Sequence, residues 1–164
     1  MHRRPLLDLL GRYEARHPDE AGCAERIRQL VTAHADCFER SCLPGHVTAS
    51  AWIVSADRRH FLLAHHRKLG RWLQLGGHAD GDPDVLAVAL REAREESGLR
   101  EFRCFEAPAV GGPLLLDIDV HTIPARADEP EHEHHDLRFL LLAAAGQDLH
   151  VSPESNELAW REIG

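Results

Sequence analysis

Between Gly76 and Leu99 the chain reads GGHADGDPDVLAVALREAREESGL, and this stretch constrains the fold more than any other. Glu92, Glu95 and Glu96 are spaced so that a helix stacks their carboxylates along one face, within reach of a common ion. Like charges at this spacing cost a helix roughly a few tenths of a kcal/mol per pair, and a hard divalent cation, magnesium or manganese, would offset that cost. Leu86, Leu90 and Ala93 recur at i, i+4 and i+7 on a separate face, which predicts a helix docked on a core with its acids turned to a cleft. Asp82 is read as the N-cap, Pro83 as the first helical residue and Gly98 as the left-handed stop. About 15 helical residues would then span about 22 Å.

The length, 164 residues, suits one compact unit able to bury its own core. The 27 acidic residues outnumber the 19 basic ones, and no basic stripe or tail is present, which argues against nucleic acid as an electrostatic partner. A small anionic ligand stays compatible with that balance, because a bound cation inverts the local charge. Cys23, Cys37, Cys42 and Cys104 form no CxxC pair, and a chain of this size needs no stapling, so they are expected to be reduced in a cytoplasmic protein. Leu6, Leu7, Leu9 and Leu10 follow Arg3 and Arg4, but Asp8 and Arg12 break the run well short of a signal or membrane segment.

Along the chain, a helical preface gives way near Pro44 to an α+β body, dividing it into residues 1–44 and 45–164. Pro5–Arg16 and Asp19–Cys37 both carry helical spacing, with Leu6, Leu9, Leu10 and Tyr13 on one stripe and Ile27, Leu30, Val31 and His34 on the other, and are read as two helices packed on the body. Strands are expected over Val47–Ala56, Phe61–His65, Trp72–Leu75, Glu101–Glu106, Leu114–Ile123 and Asp136–Ala143, with a last short element over Glu157–Glu162.

The acidic segment closely resembles the Nudix hydrolase box, G-x5-E-x7-R-E-U-x-E-E-x-G-U with U apolar. Gly77, Arg91, Glu92, Ala93, Glu95, Glu96, Gly98 and Leu99 fall on its positions without a gap, and Pro83 replaces the first Glu, flanked by Asp82 and Asp84. The resemblance implies a Nudix-type α/β/α sandwich with a mixed sheet over about Gly45–Ile163. The family's C-terminal helix has no counterpart after Gly164, so either the chain is truncated or the N-terminal pair takes that helix's place. It also implies a phosphoanhydride hydrolase acting on a nucleoside diphosphate linked to another moiety, a small-molecule diphosphate, with a homodimer left open. In that reading Glu92, Glu95 and Glu96 hold Mg2+ or Mn2+, Arg91 braces loop and helix by pairing with an acid, and Gly76 and Gly77 let the backbone approach phosphate. The general base is Glu92, Glu154 or Glu157, the last two lying where the family often carries a loop acid.

Histidine is the second unusual feature, with 13 copies. In EHEHHDLRF, Glu131–Phe139, strand alternation puts His132, His134, Asp136 and Arg138 on one face. His78 follows the glycine pair and His46 opens the first strand of the body, so His46, His78, His132 and His134 are a candidate second metal site, for zinc, manganese or iron. The pattern is similar to that of isopentenyl-diphosphate isomerase, a Nudix-fold enzyme, although Gly76 stands at the position of its catalytic Cys. Two alternatives therefore accompany the hydrolase: a metal-dependent isomerase of an allylic diphosphate, and a non-catalytic nucleotide- or metal-sensing module. Asp117, Asp119 and His121 alternate on one strand and are read as a solvated face or as outer support to the ion.

Overall fold

A computed structural model describes residues 2–107, 111–127 and 129–164. Among the described residues three α-helices, α1 (Arg4–Arg16), α2 (Ala21–Ala33) and α3 (Val85–Ser97), accompany eight strands. These are β1 (Gly45–Val54), β2 (His60–His66), β3 (Arg71–Leu73), β4 (Leu75–His78), β5 (Phe102–Cys104), β6 (Leu115–Ile123), β7 (His132–Ala143) and β8 (Ser155–Glu162). The strands form one mixed sheet with the central order β3-β2-β1-β7-β5, in which β4 also pairs β1, β6 pairs β7 and β8 pairs β2. Among the described residues β1 and β7 run parallel, and the other pairings are antiparallel.

The two N-terminal helices form as their spacing predicts. Leu6, Leu9, Leu10 and Tyr13 of α1 are all buried, as are Ala24, Ile27, Leu30 and Val31 of α2, and all join the same core as Val47, Ala49, Ala51 and Ile53 of β1. The second helix is shorter than expected at both ends. Pro18–Glu20 makes a 3-10 turn ahead of it, and the helix stops at Ala33, where the Arg3 guanidinium donates to the carbonyls of Val31 (2.6 Å), Thr32 (3.1 Å) and His34 (3.2 Å). Those carbonyls would otherwise lack partners at a helix end. His34, expected on the apolar stripe, is instead the C-cap residue. Among the described residues no helix is long and apolar enough to cross a membrane, and all four cysteines are free thiols.

The acidic helix also starts later than expected. Asp84, not Asp82, is the N-cap, its carboxylate accepting from the Ala87 N–H at 3.0 Å, and Pro83 lies outside the helix. Asp82 accepts from the Asp84 N–H instead (2.9 Å). The buried stripe is Val85, Val88, Ala89 and Ala93, with Leu86 and Leu90 only partly covered. Small residues on that stripe let α3 lie close to β1 and β4. Gly98 ends the helix in the left-handed region at φ 74°, as expected of a glycine stop. In the sheet, β7 begins at His132, four residues before the expected start at Asp136, because parallel pairing with β1 runs from Gly45↔Glu133 to Val54↔Leu142.

Candidate active site and metal centre

The register of β1 with its neighbours assembles the histidines. His46 pairs with His134 across the parallel ladder, and Thr48, two residues on, pairs with His78 of β4. Alternation then puts His46, His78, His132 and His134 on one face of the sheet. Ring centroids lie 5.1 Å apart for His46–His78, 4.9 Å for His46–His132, 5.0 Å for His46–His134 and 4.9 Å for His78–His134. One ring nitrogen each from His46, His78 and His134 falls within 4.8 Å of the other two. Both nitrogens of His46 and Nε2 of His132 and His134 are buried without a hydrogen-bond partner. His132 Nδ1 lies 2.9 Å from the Pro130 carbonyl, and its Nε2 lies 3.7 Å from Glu129 Oε1. Burial, reinforced by neighbouring cationic and imidazole groups, pushes His46 down, His78 down to about 4 and His134 down to about 3. At neutral pH these three rings are therefore neutral, the form that binds a metal. Orphaned buried imidazole nitrogens are costly in a metal-free fold, so the donor set fits a transition ion.

The carboxylates lie beside this cluster. Glu92 sits on α3 against β4, and a Cβ at Gly77 would stand 2.6 Å from Glu92 Oε2. Glycine at 77 is what makes room for that carboxylate. Arg91 Nη2 donates both to Glu92 Oε1 (2.9 Å) and to the His78 carbonyl (2.7 Å), tying α3 to β4. Glu96 Oε1 accepts from the Gly76 N–H at 2.8 Å. Burial raises Glu92, against the lowering effect of Arg91, and raises Glu96 to about 7, with the charges of Glu92, Glu154 and Glu95 adding to the shift. Glu95 is exposed. The three box acids do not converge as tightly as the histidines, since Glu92 and Glu96 are each held by a separate donor. Buried acids that raise one another's pKa are nonetheless a donor set that a divalent cation relieves.

A cavity of about 510 Å³ opens here. Gly76, Gly77, His78 and Glu92 line it, together with Glu154 from the loop before β8. Glu157 lies on β8 opposite His65 and is not among the lining residues. The cavity also takes Arg40, Arg67, Lys68 and Arg126, none of which the sequence reading singled out. The only local signal was the short basic run after His66, which sits in the turn between β2 and β3.

Asp117, Asp119 and His121 belong to a polar network rather than a purely solvated face. Arg138 donates to Asp117 (2.6 Å), Asp119 (2.8 Å) and Asp136 (3.0 Å). Asp136, buried, also accepts from the hydroxyls of Thr48 (2.9 Å) and Ser50 (2.6 Å). His121 Nδ1 lies 2.9 Å from Asp119, and its ring is 5.5 Å from that of His134, so the network reaches the edge of the histidine cluster.

The NUDIX domain family matches residues 44–163, and the chain belongs to this family. Among solved structures, a hydrolase of the NUDIX family from Clostridium perfringens is 28% identical, with TM-score 0.51, covering 71% of this chain and 81% of that one. The Ap4A hydrolase of C. elegans in a binary complex is 18% identical, with TM-score 0.54 and coverage of 71% and 79%. The dihydroneopterin triphosphate pyrophosphohydrolase of E. coli is 13% identical, with TM-score 0.53 and coverage of 71% and 80%. At those lower identities the similarity is one of fold, the α+β Nudix sandwich. A search of curated proteins finds no match.

Proposed function

We propose that this Nudix family hydrolase cleaves a phosphoanhydride bond in a nucleoside diphosphate linked to another moiety, using water activated by magnesium or manganese. The observation that carries the reading is the placement of Glu92: its carboxylate lies against Gly77 in the cavity wall, clamped by Arg91 and next to His78. Glu92, Glu95 and Glu96 would hold the cation, which when bound neutralises phosphate oxygens and acidifies a water. Arg91 holds the helix on β4, so that the acids keep their distance from the Gly76–Gly77 backbone. Glu154 lines the cavity and is the loop acid best placed to accept a proton from water, ahead of Glu157. Arg40, Arg67, Lys68 and Arg126 supply positive charge for an anionic substrate in an otherwise acidic protein. In support of hydrolysis over the isomerase alternative, position 76 carries glycine, where any side chain would run into Ser50.

The histidine cluster supports a second part of this reading: His46, His78 and His134, with His132 beside them, would hold zinc, manganese or iron distinct from the cation at the glutamates. Imidazole nitrogens favour such ions over magnesium. The orphaned nitrogens favour a metal there over a simple polar core.

The test is a screen of nucleoside diphosphate compounds with product analysis, on the parent and on the double variant Glu95→Gln/Glu96→Gln. The parent should release a nucleoside monophosphate, and the double variant should lose about 100-fold or more in rate, the scale of removing a charge stabiliser at a transition state, while its unfolding curve persists. Turnover by the variant within a few-fold of the parent would refute the assignment. Elemental analysis after purification without chelator or polyhistidine tag should find a transition metal that disappears in His132→Ala/His134→Ala.

A further inference from the structure

A second set of metal-ligating side chains lies away from the cavity, in the loop that joins α2 to β1. One donor atom each from His34, Asp36 and Cys42 falls within 4.8 Å of the other two. We propose that these three residues form a separate site for a zinc-class cation, a clasp that closes the α2–β1 loop.

The loop backbone is fixed by bonds that do not draw on these three side chains, and the Cys42 thiol hydrogen-bonds to the Asp36 carboxylate. Arg3 and His2 hold the carbonyls of His34 (3.2 Å) and Ala35 (3.2 Å). Successive turns follow: Cys37 N–H donates to His34 O (3.4 Å), Glu39 N–H to Asp36 O (2.8 Å) and Cys42 N–H to Glu39 O (3.0 Å). These turns fold the chain back, so that Cys42 returns toward the residues that end α2. Cys42 is buried, His34 half-buried and Asp36 exposed, which gives a site open to solvent on the carboxylate side.

The donor chemistry selects the ion. One thiolate, one imidazole and one carboxylate carry two negative charges and neutralise a dication. Two of the three donors are sulfur and nitrogen, which disfavours magnesium and calcium and favours zinc or cobalt. Bonds of roughly 2.0–2.3 Å to one tetrahedral ion put donors about 3.3–3.8 Å apart, so closure asks for a shift of about an ångström, which exposed Asp36 can supply. Without an ion, burial and the neighbouring Asp36 push the Cys42 thiol up to about 11. Binding forms a sulfur–metal bond, breaks the S–H bond and releases that proton to solvent.

The clasp reaches further than its own ligands. Within the same loop, Cys37 O accepts from Val47 N–H of β1 (2.8 Å), Phe38 O accepts from Gly81 N–H (2.9 Å), and Arg40 pairs with Asp80 while lining the cavity. An ion at His34, Asp36 and Cys42 therefore stiffens the segment that positions Arg40.

Titrating the metal-free 164-residue protein with cobalt(II) separates this site from the histidine cluster, because only the clasp contains sulfur. A sulfur-to-cobalt charge-transfer band should grow to one equivalent and persist in Cys37→Ser and in His46→Gln/His134→Gln. The band should vanish in Cys42→Ser, and Asp36→Asn, an exposed substitution, should weaken binding by about tenfold, the loss of one charged ligand. Zinc should also slow alkylation of Cys42 in the parent, a readout that stands even if Cys42→Ser does not fold. Absence of the band at saturating cobalt, its survival in folded Cys42→Ser, or a Cys42 alkylation rate that zinc leaves unchanged would overturn the proposal.

Discussion

Replacing Gly76 by alanine is the sharpest test of how β4 is held. Gly76 pairs with Ser50 of β1, and a Cβ at 76 would overlap Ser50 Cβ while standing 2.6 Å from Ser50 Cα and 2.8 Å from the Ala49 carbonyl oxygen. None of these atoms is the far end of a flexible side chain, so relief requires β4 to move off β1. Such overpacking costs about 1–3 kcal/mol, which is about 5- to 150-fold in the folded-to-unfolded ratio. For a chain of this size the midpoint of thermal unfolding should fall by roughly 2–12 °C. Equilibrium unfolding in urea should show a lower midpoint at an unchanged slope. Adding Ser50→Gly removes the worst overlap but keeps the Cα and carbonyl contacts. It also deletes the Ser50 hydroxyl's bond to Asp136 (2.6 Å), so rescue should be partial. The two singles should sum to more than the double by about 0.5–2 kcal/mol. Gly77→Ala should behave differently: its new methyl meets the tip of Glu92, which can swing aside. Stability should then drop less than in Gly76→Ala and hydrolysis more. A Gly76→Ala protein within about 0.5 kcal/mol of the parent, or singles that add, would refute the packing argument.

In metal-free protein, His78 at about 4 and His134 at about 3 lie below their unfolded value, so the folded state binds fewer protons and stability should fall as pH drops from the usual histidine value toward 4. Glu96, raised to about 7, acts oppositely, its contribution being full below the usual carboxylate value and lost as pH rises through 7. Thermal midpoints against pH in chelator should show the acid limb flattened in His134→Gln and the neutral limb flattened in Glu96→Gln; profiles identical to the parent would contradict both assignments. Arg138→Gln should cost about 2–3 kcal/mol in urea unfolding, a buried-pair loss discounted for solvent at Asp117 and Asp119, and a change under half that would show the three carboxylates to be solvated already. Pro83→Glu should leave the magnesium requirement and rate within a few-fold of the parent, because Pro83 lies outside α3 near the α1 surface rather than in the Glu92 cavity; a large gain in rate would mean that the natural chain is an impaired hydrolase.

The box helix and the histidine faces were legible because each rests on a period. Three-and-four spacing put Glu92 and Glu96 on the side that meets β4, and two-residue alternation put His132 and His134 on one face wherever β7 began. The start of α3 was harder to read. Asp82, Pro83 and Asp84 all suit a helix entrance, and only the bond from Ala87 N–H to Asp84 decides among them. The start of β7 was hidden by composition, since HEHH does not resemble a strand until the parallel ladder with β1 covers it. Arg40, Arg67, Lys68 and Arg126 come from loops and turns brought together by the sheet, and His34, Asp36 and Cys42 from a chain reversal; neither carries a periodicity that spacing could reveal.

Strand β4 would keep the two proposed donor sets, of different hardness, from competing for one ion. Consecutive residues in a strand point to opposite faces, so Gly77 turns toward α3 and the carboxylate of Glu92, while His78 turns to the face shared with His46 and His134. The Glu92 carboxylate thus lies on one side of the strand and the His46, His78 and His134 rings on the other. A side chain at 77 would occupy the space of the carboxylate, which would then have to swing aside. Arg91 joins α3 to β4, one nitrogen serving the His78 carbonyl and Glu92 together. The cavity, lined by residues 76–78 and Glu92, adjoins both sides of the strand.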